Sequence, residues 1–82
     1  MHESGVIRQL IEMALAEARS RDAVLRGIDV RLGVLAGGSV EHLREHFQIE
    51  IDALAIGPID LNIEDAPDHP GGVELVGVEL EA

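Results

Sequence analysis

The sequence predicts an α+β (mixed α/β) domain, two helices packed on a small three-stranded mixed sheet in the order α-β-α-β-β. Two segments carry apolar residues at helical spacing and three carry them at a period of two. Glycine and proline stand between these segments, at Ala36-Gly37-Gly38, Gly57-Pro58 and Pro67 to Gly72. With 82 residues, the chain forms one domain over 1–82, because a second core could not bury enough apolar surface to offset the chain entropy lost on folding.

From Ser4 to about Arg21, Ile7, Leu10, Ile11, Ala14 and Ala18 recur on one helical face, with no glycine or proline after Gly5. Val6, Met13 and Leu15 widen that arc, which predicts a sheet on one side and a second helix or a partner on the other. Between Ala23 and Leu35 the period changes: Ile28, Val30, Leu32 and Val34 alternate with Asp29, Arg31 and Gly33, as in a half-buried strand. Ser39 then suits a helix N-cap, with Glu41 in the first turn. Val40, Leu43, Phe47, Ile51 and Leu54 follow at three- and four-residue steps, so the second helix runs to about Ala55 and stops before Gly57-Pro58.

Ile59, Leu61 and Ile63 alternate with Asp60, Asn62 and Glu64 to predict a second strand, and Ala66 to Gly72 reads as a turn. Val73 to Leu80 is a third strand whose alternation changes phase between Leu75 and Val76, so a bulge is expected near Gly77. The first two strands flank a helix and are expected to be parallel. The last two, joined by a short connection, are expected to close an antiparallel hairpin.

Composition narrows the function. Sixteen acidic residues against six basic ones give a formal charge of −10, which repels nucleic acid and anionic membrane surfaces. No apolar run approaches the roughly 20 residues of a membrane span, and no signal-peptide pattern opens the chain, so a cytoplasmic location is expected. There is no cysteine, tyrosine, tryptophan or lysine, and serine stands only at 4, 20 and 39. A chain without an identifiable nucleophile or phosphate loop is expected not to be an enzyme. A core this small, with Phe47 its only aromatic, makes a homodimer or a partner a reasonable expectation.

Four histidines, at 2, 42, 46 and 69, raise the question of metal. His2 can combine its imidazole and backbone nitrogens with the α-amine of Met1 in adjoining chelate rings, and Glu3 can complete a tetragonal set typical of Ni(II) and Cu(II). Such a site needs deprotonated ligands, so its affinity falls with pH. His42 and His46 lie one helical turn apart with Glu45 between them; a solvated helix face is the plain reading of that pair, and a metal clamp the sharper one. Ile49 and Ala53 share the same outward flank, which suggests a modest protein contact. His69, in Asp68-His69-Pro70, reads as a polar loop residue.

Taken together, Met1-His2-Glu3, the first helix, Arg31-Leu32-Gly33-Val34-Leu35, the capped helix with Phe47, Gly57-Pro58-Ile59-Asp60-Leu61-Asn62-Ile63 and the closing Val73 to Glu81 resemble the nickel-binding domain of HypA-type metallochaperones. The resemblance covers almost the whole chain. It implies a nickel site at Met1, His2 and Glu3 that holds the ion transiently. It also implies a maturation GTPase as partner and the precursor of a nickel enzyme, such as a [NiFe] hydrogenase, as recipient. Ser39 lies where that family often places an acidic or polar residue near the metal. The departure is the zinc ribbon, which in the family carries two Cys-x-x-Cys pairs between the last two strands; here the short loop 66–72 replaces it, and no zinc is expected. The rival expectation is an adaptor or assembly subunit that keeps the shape without handling metal.

Overall fold

Helix α1 spans Glu3–Ser20 and buries Ile7, Leu10, Ile11, Ala14 and Ala18, the five residues its spacing places on one face. The computed structural model describes residues 3–36 and 38–82, with side chains from Gly5 onward in α1. The end of α1 is a Schellman turn. Ala23 N–H donates to Ala18 O at 2.9 Å and Asp22 N–H to Arg19 O at 3.1 Å, with Asp22 in the left-handed region at φ 54°. That turn reverses the chain into strand β1, Val24–Leu32.

A 3₁₀ turn, Val34–Ala36, leads from β1 to helix α2, Val40–Leu54. Ser39 caps α2, its Oγ accepting from His42 N–H at 3.1 Å. Leu43, Phe47 and Ile51 are buried, while Val40 and Leu54 pack at the margin. The helix ends at Ala55, which takes the left-handed conformation at φ 53° and donates to Asp52 O, two residues before Gly57. Arg8 of α1 ties the two helices together through Glu50, with N to O distances of 2.7 and 2.8 Å.

Strands β2, Asp60–Asp65, and β3, Val73–Glu81, complete a mixed sheet in which β1 is central. β2 runs parallel to β1, with Ile28 opposite Leu61 and Val30 opposite Ile63. β3 runs antiparallel, with Leu32 opposite Val73, Val30 opposite Leu75 and Ile28 opposite Val78. These apolar residues form the inner face, on which α1 and α2 pack. The phase change in β3 is resolved where expected: Asp29 pairs with Gly77 and Val30 with Leu75, leaving Val76 as the bulged residue. A second irregularity, unsignalled in the sequence, leaves Arg26 unpaired between Leu25 and Gly27.

Two expectations are corrected. β2 and β3 do not form a hairpin: they lie on opposite sides of β1, so loop 66–72 crosses the end of that strand. Alternate strands of a sheet are about 10 Å apart, well within the reach of seven residues. The loop docks on backbone: Gly33 N–H donates to Gly72 O, Val34 N–H to His69 O and Leu35 N–H to Gly71 O, each at 2.9 Å. Val34 therefore does not continue the strand. Its amide is claimed by the crossing loop, and its side chain is 58% exposed.

The crossing requires Gly33, because a Cβ there would overlap the carbonyl of Gly71 and approach His69 O to 3.0 Å. Gly33→Ala should lower stability in urea titration by about 2 kcal/mol or more, the cost of forced overpacking. Gly72→Ala, with nothing within 4 Å of the added carbon, should stay near wild type. Conversely, Ala55→Gly should raise stability by about 0.5–1 kcal/mol by relieving the left-handed strain, and no gain would count against the observed cap geometry.

Candidate metal site

The head of the domain is built from the N-terminal turns of both helices. Val6 and Ile7 of α1 face Ser39, His42 and Leu43 of α2 across a cavity of about 320 Å³ whose wall is completed by Leu35 of the 3₁₀ turn. The N-terminus of α2 directs the positive end of its peptide dipole toward this region, with the His42 amide capped by Ser39. That polarity favours carboxylate and deprotonated ligand groups there.

Met1 and His2 lie outside the described residues, and Glu3 is described only as the first residue of α1. What the structure places is the base from which the tripeptide starts: Glu3 opens α1, and one turn later Val6 and Ile7 line the cavity. Ser39 stands on the same cavity, with its hydroxyl engaged as the α2 cap.

His42 and His46 are brought together, as their one-turn spacing requires. Their ring centroids are 4.4 Å apart with the planes tilted at 51°, His42 exposed and His46 half-buried. Among the described residues no group of three or more histidine or carboxylate side chains converges to hold an ion. Ile49 is 64% exposed and Ala53 is exposed with it, consistent with an outward flank.

His69 does more than the polar loop residue expected. Its Nε2 lies 2.7 Å from Glu74 Oε1, its amide donates to Ala66 O at 3.0 Å, and its carbonyl accepts from Val34. It therefore pins the crossing loop to the 3₁₀ turn after β1 and to β3, a structural role whose only trace in the sequence is an acidic residue five positions later. Comparison of the chain with protein-family models, with curated proteins and with solved structures finds no match.

Proposed function

We propose that this chain is a nickel-binding accessory protein, a metallochaperone that holds Ni(II) at Met1, His2 and Glu3 and passes it to the precursor of a nickel enzyme such as a [NiFe] hydrogenase. The observation that carries the reading is the order amine, imidazole, carboxylate at the head of the first helix of an α-β-α-β-β domain. Amine, amide and imidazole nitrogens from two adjacent residues make joined chelate rings that suit a tetragonal Ni(II) ion. The protein works in the cytoplasm with a maturation GTPase, carries no structural zinc, and catalyses no reaction of its own.

A second reading, an adaptor that no longer handles metal, is favoured by the exposure of Ile49 and Ala53 on the outward flank of α2. Calorimetric titration with Ni(II) separates the two. The chaperone reading expects about one equivalent bound to protein beginning at Met1, tighter at pH 8 than at pH 6, with protons released on binding. It also expects that His2→Ala, or one residue added before Met1, abolishes binding. Unchanged binding in both variants would remove the site, and loss in His46→Ala instead would move it to the His42 and His46 pair.

A further inference from the structure

The cavity at the head of the domain has an apolar wall and a polar rim. Val6 and Ile7 of α1, Leu32 of β1, Leu43 of α2 and Val73 of β3 line its volume of about 320 Å³, together with Leu35 of the 3₁₀ turn. Ile7, Leu32 and Leu43 belong to the core, whereas Leu35 is 77% exposed. Ser39 and His42 are both exposed and stand at the rim, the Ser39 hydroxyl already accepting from the His42 amide. Water among such walls finds few hydrogen-bond partners, and the wall atoms lack the dispersion contacts that an apolar occupant would supply.

The chain itself carries an occupant within reach. β3 starts at Val73 on the cavity wall and runs nine residues to Glu81, so at the strand rise Ala82 follows roughly 26 Å away. The other end is close. α1 starts at Glu3, three and four residues before Val6 and Ile7, which puts Glu3 on the same helical face and one turn, about 5.4 Å, beyond them. Met1 and His2 precede it. Two residues span up to about 7 Å, enough to turn back over one helical turn.

The residue types agree with that reach. Methionine is unbranched and has a polarisable thioether, so it fills irregular apolar space that a branched side chain cannot. His2 is polar and suits the rim. The chain's other methionine, Met13, is engaged elsewhere: it is 55% exposed in an open groove beside β3 with Val76 and Leu80.

We propose that the head cavity is the seat of the Met1 side chain, which docks there in the metal-free protein and holds the segment before α1 at the rim formed by Ser39 and His42. The seat goes beyond the proposed nickel site, to which Met1 contributes its amine; here it contributes its side chain, and the contact needs no metal. A seated Met1 also holds the amine and the His2 imidazole near one place, so less freedom is lost when a chelate closes. That consequence rests on the nickel reading; the contact does not.

With two methionines in the sequence, the test is direct. Protein beginning at Met1 is labelled with ¹³C in its methionine methyl groups, kept free of metal by a chelator, and its nuclear Overhauser contacts are recorded at low concentration. The expected result is contact from the Met1 methyl to the methyl groups of Val6, Leu43 and Val73, with contact from Met13 to Val76 and Leu80 as internal control. Ala36→Leu adds a side chain to the same wall. It should abolish the Met1 contacts and move that resonance to the position of a solvent-exposed methionine, with the Met13 contacts and the thermal melt unchanged. The wild-type contacts decide the matter even if the variant unfolds.

Absence of those contacts in the wild type overturns the proposal, as does their persistence in folded Ala36→Leu. So does an isotope-filtered mixture in which they run between chains, which makes a second copy the occupant. Xenon that shifts the Leu43 and Val73 methyls while Met1 keeps its solvent position also overturns it, and makes a free apolar solute the occupant. A seated Met1 in a protein that binds no nickel would refute the metallochaperone reading and leave this contact standing; nickel bound with Met1 unseated would do the reverse.

Discussion

The placement of β1 between two partners is the constraint on which the rest of the domain depends. Ile28, Val30 and Leu32 are almost completely buried, and they reach that state only because β2 covers one side of the strand, β3 the other and the helices the inner face. With a single aromatic, Phe47, the interior is filled by aliphatic side chains, each contributing about 1.5–3 kcal/mol when fully buried. No residue in so small a core is far from its edge, so the strand that can be covered on every side becomes the organising element.

Central placement of β1 sets the route of the chain around it. To put β2 and β3 on opposite flanks, loop 66–72 must pass over the end of β1, and it does so at backbone contact on Gly33. Three amides at positions 33, 34 and 35 that would otherwise extend the strand bond to the loop. His69 and Glu74 lock it from the other side. A loop short enough to look like a hairpin connection therefore serves as a strap that closes one end of the sheet.

The same topology separates two surfaces of different chemistry. At the head of α1, the N-terminal turns of both helices converge on a cavity bordered by Ser39 and His42, the setting from which the proposed metal ligands start. Along β3, an unpaired edge lies between an apolar groove and an acidic sheet face.

Much of the fold was legible in the sequence because it is local. Helical spacing set the buried face of α1 down to each of Ile7, Leu10, Ile11, Ala14 and Ala18, the Ser39 hydroxyl set the start of α2, and the phase break after Leu75 located the bulge to within a residue of Gly77. The proposed chelating order of Met1, His2 and Glu3 rests on adjacent residues alone and lies largely outside the described residues. Tertiary structure alone decided which strands are neighbours, why Val34 leaves the sheet, and that His69 meets Glu74. It also placed Glu79 over Gly27 to share Asn62 with Asp29. A repeating pattern records which side of an element is apolar, but strand order depends on what every segment can bury at once, and no segment's own period carries that information.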